Sequence, residues 1–432
     1  MSCAIRRGFQ GHYHPEIQGQ PRRQAFWNHL KSVFKGDAKF QEPLRGYTSF
    51  GIGGPADCLV TVTTMEKLLE LIALMDTYGY SNFMSDHPDR HSRETESLCG
   101  AESLCGAESL CGAESPCGSE NPGMPFFMLG RGTNLLVKDG GIRGLVIRLG
   151  GEFRQARVEG PRIVSGAACP LSSLLRLSVQ HGLSGLEFTT GIPGSLGGAL
   201  FMNAGAGPEE IGPLVSEVHL VYPDGSCEVL GTGTCRAGGL PRPRHRAAGA
   251  PGVAGAAGNF ETAGVEDAPR GSAEDTPRGG SLDFSYRRCS LPRGGIITRA
   301  VVQLHPAESK DAVLAGISER YTYRASRQPL REKSAGCIFK NPPGESAGRL
   351  IDQAGLKGIS IGGAQISTVH ANFIINRHGA SCSDVLRLMD MIQKRVYQSS
   401  GIALEPEVLV IGEDRIGEDR IEEGCIGQEQ KD

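Results

Sequence analysis

The run REKSAGCIFKNP (331–342) presents one thiol, Cys337, between small flexible residues and a bulky apolar pair, with Lys340 and Asn341 close behind. A thiol has a reference pKa near ~8.5 and is mostly protonated at neutral pH, so it can act as a general acid or, once ionised, as a nucleophile. Lys340 and Asn341 suit phosphate or amide groups. The same cysteine taken alone also reads as a small buried hydrophobe. Glu407 stands at the head of an apolar strand in LEPEVLVIG (404–412), as either a surface end-residue or a placed acid. In LDFSYRRCS, Tyr286 precedes Arg287 and Arg288. Neighbouring strand residues point to opposite faces, so one arginine faces inward and needs an anionic partner, unless the strand lies on the surface with both solvated.

Two glycine-rich stretches could hold an anion. PFFMLGRGTNLLV (125–137) runs a short apolar strand into Gly130, Arg131, Gly132, Thr133 and Asn134. Glycines at a strand end let backbone N–H groups approach an anion without a Cβ clash, and consecutive N–H groups there form a nest for phosphate. The pattern is neither a Walker loop nor GxGxxG, and it also fits an ordinary tight turn. TTGIPGSLGGALFMNAGA (189–206) gathers Gly191, Ile192, Pro193, Gly194, Ser195, Gly197, Gly198 and Asn203. Glycine is costly in regular structure, so this density points either to backbone held against a ligand or to a tightly packed core turn.

The elements that must position these residues follow from periodicity. Residues 63–78 read as a helix with Met65, Leu68, Leu69, Ile72 and Met75 on one face, a Thr63/Glu66 capping box and Gly79 as its stop. Residues 171–181, between Pro170 and Gly182, predict a second helix, and 383–397, with Val385, Leu388, Met389, Ile392 and Val396 on one face, a third. Strands are expected at 57–62, 125–129, 144–148, 162–166, 218–222, 295–304, 372–376 and 407–411, with a hairpin turn at Pro223-Asp224-Gly225. Helices mixed with β-rich stretches predict an α+β or α/β fold, not all-β.

Composition bounds the class. The chain has 432 residues, of which 39% are hydrophobic, and a net charge of −3. The length predicts two or three domains. The charge lacks the basic footprint of a nucleic-acid binder, and no apolar run reaches the ~18 residues of a membrane helix. The N-terminal MSCAIRRGFQGHYHPE has no apolar signal core, and the 13 cysteines show neither CxxC pairs nor His partners at metal spacing. These features predict a reduced, cytoplasmic setting and no metal site. Two stretches read as surface insertions: 81–120, with its ESLCGA repeat, and 231–280, too poor in large apolar residues to offset chain entropy. The tail, with IGEDR twice from Ile411, reads as solvated. Without these parts, roughly 280 residues remain to fold.

In their order along the chain, and together with YTSFGIGGPAD (47–57), these segments resemble the UDP-N-acetylenolpyruvoylglucosamine reductase family in its shorter, type II form, over about 44–412. The resemblance implies an α+β protein with a two-part FAD-binding domain of the vanillyl-alcohol-oxidase (PCMH) type, over 40–150 and 151–305, after an extension at 1–39. It further implies an α/β UDP-sugar-binding domain over 306–400, a returning strand over 401–413 and a mobile tail over 414–432. The two glycine-rich stretches would bind FAD. Arg287, Cys337 and Glu407 would be catalytic, and Tyr286, Arg324, Arg327, Lys340 and Asn341 would contact the substrate. The implied reaction converts UDP-N-acetylglucosamine enolpyruvate to UDP-N-acetylmuramate for peptidoglycan, with NADPH as reductant, hydride passing from flavin N5 to C3 and Cys337 protonating C2. The implied enzyme is a cytoplasmic monomer without nucleic-acid or membrane partners. Most members carry Ser where Cys337 stands. A flavin oxidase of alcohols or sugars would not need the SAGCIFKNP and EPEV pair, and a mere UDP-sugar binder would not need an arginine, an acid and a protic side chain together.

Overall fold

The computed structural model describes residues 20–79, 82–83, 125–231, 282–292 and 294–414. The hexapeptide repeat, the Gly/Ala/Pro-rich stretch beyond Gly231 and the tail beyond Asp414 lie outside the described residues.

The first sheet runs in the order Ala38–Pro43, Pro55–Val62, Ile142–Leu149, Pro125–Met128, Asn82–Phe83, antiparallel at its first pair and parallel elsewhere. Its inner strands read as nearly continuous apolar runs because both faces are covered. Cys58, Val60, Val62, Leu145 and Ile147 face helices α1 (Gln20–Val33) and α2 (Met65–Thr77), whereas Leu59, Val146 and Phe127 face the opposite core. Helix α1 falls in the stretch expected to be an extension, yet its Phe26 and Leu30 are fully buried against this sheet. Phe26 also meets Trp27 and Tyr78 edge to face.

The cap of α2 differs from the expected box. Thr64, not Thr63, is the N-cap, its hydroxyl accepting from Lys67 N–H at 3.3 Å. Thr63 is held elsewhere, its carbonyl accepting from Glu152 N–H at 2.9 Å. The carboxylate of Glu152 takes the Met65 N–H at 2.5 Å, so a residue distant in sequence supplies the acid expected from Glu66.

The second sheet is wholly antiparallel, in the order Cys227–Gly231, Val215–Val221, Ile296–Gln303, Arg162–Gly166, Ala156–Glu159. Helices α3 (Leu171–Gln180) and α4 (Leu196–Phe201) bury Leu174, Leu196 and Leu200 against it. The hairpin at Pro223 forms as expected, with Gly225 N–H donating to Tyr222 O at 2.9 Å and Asp224 Oδ1 accepting from Ser226 N–H at 2.8 Å.

Helix α5 (Lys310–Arg327) then leads to a third, antiparallel sheet ordered Ser334–Cys337, Phe373–Asn376, Ala364–Ile366, Ser360–Ile361. Val313 alone of α5 is buried, so the helix carries no apolar stripe for periodicity to detect. Helices α6 (Ala347–Gln353) and α7 (Cys382–Ser400) complete this unit. Helix α7 has a Ser381/Asp384 capping box and ends at Gly401 in the left-handed region.

The last strand, Leu409–Ile411, returns to pair in parallel with Leu135–Val137. It is shorter than the expected 407–411, because Glu407 N–H donates instead to Ile338 O at 2.7 Å. Among the described residues no helix is long and apolar enough to cross a membrane.

If α1 is integral to the first core, Phe26→Ala should cost about 3–5 kcal/mol in a urea titration. A loss below ~1 kcal/mol would mark the helix as an appendage.

Candidate functional site

The first glycine-rich stretch turns where the strand Pro125–Met128 ends. Gly132 has φ +60°, and a Cβ there would lie 2.2 Å from Tyr47 O, so glycine is required. Among the described residues, the N–H groups of Gly130, Arg131, Gly132, Thr133 and Asn134 meet no backbone acceptor. All five residues line one cavity. Such a run of unpaired donors is a nest suited to phosphate oxygens.

The second stretch forms the adjoining wall. Gly191 has φ +78°, and the side chain of Arg324 lies 3.3 Å from where a Cβ would sit. Gly197 N–H donates to Ala167 O at 2.8 Å, packing the start of α4 against the second sheet. Ser195, the N-cap of α4, makes no side-chain cap bond. Arg131 Nε donates to Pro193 O at 3.0 Å and joins the two stretches.

The cavity measures about 1210 Å³, larger than the ~300–1,000 Å³ typical for one drug-sized ligand. Arg131, Arg148, Arg154, Arg288, Arg324 and Arg331 are among the residues that line it, and Glu332 and Glu407 are its carboxylates. This excess of guanidinium groups suits a ligand with several anionic oxygens.

At one end the cavity gathers Arg287, Glu407 and Cys337. The two arginines of the RR pair do not alternate within one strand. Phe284–Ser285 and Arg288–Cys289 pair as a hairpin, and Tyr286 and Arg287 form its two-residue turn, with Arg287 at φ +55°. A turn releases its residues from strand alternation, and both Arg287 and Arg288 reach the cavity lining. Arg287 Nε lies 2.7 Å from Glu407 Oε1, with side-chain exposures of 20% and 12%. The Nε–H is not aligned with that oxygen, so the contact is an ion pair without a well-directed hydrogen bond. Arg287 Nη1 donates weakly to Gly205 O at 3.4 Å.

Burial raises the Glu407 carboxyl above the usual carboxylate range, against the opposing charges of Arg287 and Lys340. Cys337 ends the strand Ser334–Cys337 and is half-buried, open towards the cavity. Its burial, reinforced by Glu407, pushes the thiol up to about 12, although Arg287 and Arg324 act the other way. Burial likewise lowers Arg324.

Other expected site residues lie elsewhere. Asn203 does not line the cavity and is fully buried. Its Nδ2 donates to Glu210 Oε2 at 2.7 Å and Ser285 O at 2.9 Å, and its Oδ1 accepts from Gly212 N–H at 3.0 Å. These bonds hold its backbone at φ +41° and brace the hairpin that carries Arg287. Of the expected substrate contacts, Arg324 lines the cavity and the other four do not. Tyr286 is exposed beneath the Arg287 guanidinium, and Arg327 stacks on Tyr323 at 4.6 Å. Lys340 is ion-paired with Glu405, and Asn341 Oδ1 accepts from Ala347 N–H at 3.0 Å, tying down the start of α6.

Sequence reasoning missed Tyr321 and Gln328, which reach the cavity from the end of α5 and the turn after it. Ser334 and Gly336 also line it. They sit in the SAGC run already singled out, and that run was the available signal.

Comparison with known proteins agrees with this geometry. Residues 119–231 match the family model described as FAD binding domain, and residues 328–411 match UDP-N-acetylenolpyruvoylglucosamine reductase, C-terminal domain. A UDP-N-acetylenolpyruvoylglucosamine reductase of Rubrobacter xylanophilus is 34% identical, covering 87% of this chain and 96% of its own. One of Bacillus cereus, numbered 1, is 33% identical over 89% of this chain and 97% of its own. The crystal structure of the Thermus caldophilus enzyme superposes with a TM-score of 0.57 at 31% identity, covering 86% of this chain and 97% of that one.

Removing the Asn203 brace strands the Gly212 N–H in the interior and frees Ser285 O at the hairpin. Asn203→Ala should lower stability by at least ~1–3 kcal/mol in a urea titration. Asn203→Gly, which tolerates the positive φ, should be no better. Full recovery in the glycine variant would mean that backbone strain, not bracing, explains the asparagine.

Proposed function

Because the chain belongs to the UDP-N-acetylenolpyruvoylglucosamine reductase family, we propose that it is the FAD-dependent oxidoreductase that reduces UDP-N-acetylglucosamine enolpyruvate to UDP-N-acetylmuramate, with NADPH as reductant. The observation that carries this reading is the meeting of Arg287, Glu407 and Cys337 in the cavity walled by the unpaired N–H groups of residues 130–134. A nest for phosphates and a protic, cationic end share one enclosure, as reduction of a sugar-nucleotide ether beside a dinucleotide cofactor requires.

The residues present fit FAD. The backbone of residues 130–134, with Gly191, Gly194 and Ser195, would hold its pyrophosphate and adjacent groups. When bound, FAD supplies the redox chemistry, accepting hydride from NADPH and delivering it to C3 of the enolpyruvyl group. Arg324 and neighbouring arginines would take the anionic substrate. Tyr286 and Arg327 would meet it at the rim, while Lys340 and Asn341 fix the wall behind Cys337. In this reading 40–150 and 151–305 hold the cofactor, and 306–400 with the returning strand holds the sugar nucleotide.

Hydride arriving at C3 leaves an electron pair at C2, delocalised into the substrate carboxylate as an enolate. Arg287 stabilises that charge with its preorganised guanidinium. Glu407 holds the guanidinium in place, and their contact keeps the carboxylate from repelling the enolate. Cys337 Sγ then gives its proton to C2, which completes the addition of hydride and proton across the double bond. A thiol held at about 12 remains protonated throughout the neutral range and so stays ready to donate.

Anaerobic absorption spectroscopy tests the whole reading. NADPH should bleach flavin bands of the purified protein and the enolpyruvyl substrate should restore them; recovery that needs oxygen would refute it. Cys337→Ala should leave the NADPH half-reaction intact and slow substrate reduction by ~10²–10⁴-fold, with Cys337→Ser largely restoring it. The alkaline side of the kcat profile should stay flat to about pH 10, since the donor loses its proton only near 12. A falling limb near an ordinary thiol value, ~8.5, would contradict the burial of the donor.

A further inference from the structure

We propose that Asn372 is a positioning residue for the proton donor: its buried carboxamide pins the backbone immediately after Cys337 and ties it to the segment that carries Glu407. The proposal rests on the reading of Cys337 as donor.

Strand pairing just before this thiol is irregular. Ser334 and Cys337 pair with Ile375 and Phe373, and the register shifts between them. Gly336, immediately before Cys337, has φ +80°. The ladder is therefore broken where a donor most needs a fixed direction.

Asn372 supplies the missing constraint. It is 3% exposed. Its Oδ1 accepts from Phe339 N–H at 3.0 Å and its Nδ2 donates to Phe339 O at 2.8 Å, so the side chain mimics a strand partner. Its own carbonyl accepts from Ile338 N–H at 2.9 Å. On the other side of the same backbone, Ile338 O accepts from Glu407 N–H at 2.7 Å, and Lys340 N–H donates to Glu405 O at 2.8 Å. Residues 338–340 are thus clamped between Asn372 and the Glu407 segment.

A carboxamide nitrogen carries two N–H groups. One is occupied by Phe339 O, and the carboxamide acts on the Cys337 thiol in the lowering direction, against its burial. The groups that act on this thiol are Glu407, Arg287, Arg324 and Asn372. Releasing the proton to substrate leaves a thiolate, which burial and Glu407 disfavour. The Asn372 N–H, together with the two arginines, stabilises it.

The test uses full-length FAD-loaded enzyme, with Asn372→Ala and the near-isosteric Asn372→Asp, which keeps an acceptor for Phe339 N–H. Alkylation of Cys337 by iodoacetamide at pH 9, followed by peptide mass mapping, should slow about tenfold in the Asp variant, as for a thiol raised by one unit. In both variants kcat should fall about tenfold, while flavin reduction by NADPH is unchanged. Unaltered alkylation and kcat in a folded variant would overturn the proposal. Slowed alkylation with undiminished kcat would uphold the placement of Asn372 and overturn the donor role of Cys337 instead. The unmodified enzyme gives a check independent of folding: amides 338 and 339 should be among its slowest to exchange with solvent deuterium, and fast exchange there would equally overturn the proposal.

Discussion

The parallel pairing of Leu409–Ile411 with Leu135–Val137 closes the molecule, and the site depends on that closure. Asn134 reinforces it twice, its carbonyl accepting from Leu409 N–H at 3.0 Å and its Nδ2 donating to Glu407 O at 3.0 Å. One residue therefore ends the run of N–H groups without backbone acceptors and grips the strand that carries Glu407. These partners stand 273 positions apart, so the contact closes a loop that spans all the intervening units. The site is consequently a property of the whole fold and of no single sheet.

A cationic cavity has its own cost. Arginines facing one another repel until a ligand arrives, and a buried carboxylate is unfavourable unless paired. Glu407 and Arg287 resolve both at once, because each offsets the charge of the other.

Much of this was legible in the sequence, and what was hidden has identifiable causes. The inner strands, α2, α3 and α7 announced themselves because local periodicity and punctuation are what packing selects. Gly132 was readable because close approach of the Tyr47 backbone excludes a side chain there. Helix α5 was invisible, since a helix with one buried side chain carries no stripe. Arg287 was placed inward by the wrong route, a strand alternation that the turn abolishes. Asn203 sits off the cavity lining and braces the hairpin, an arrangement that a list of polar residues does not reveal. Asn372 carried no local signal at all, as its partners are the backbone of a segment 33 positions away.

The second sheet ends in an unusual seam. Leu282 N–H donates to Gly231 O at 3.3 Å, so the chain re-enters the fold where it left it. Leu282 is itself fully buried in the adjoining core, which anchors the re-entry point. Lengthening a connection between such neighbouring ends costs only ~0.6 kcal/mol per doubling. The position is in effect a port: a guest domain with neighbouring termini, such as a fluorescent reporter, could be spliced between Gly231 and Leu282 without disturbing the strands on either side.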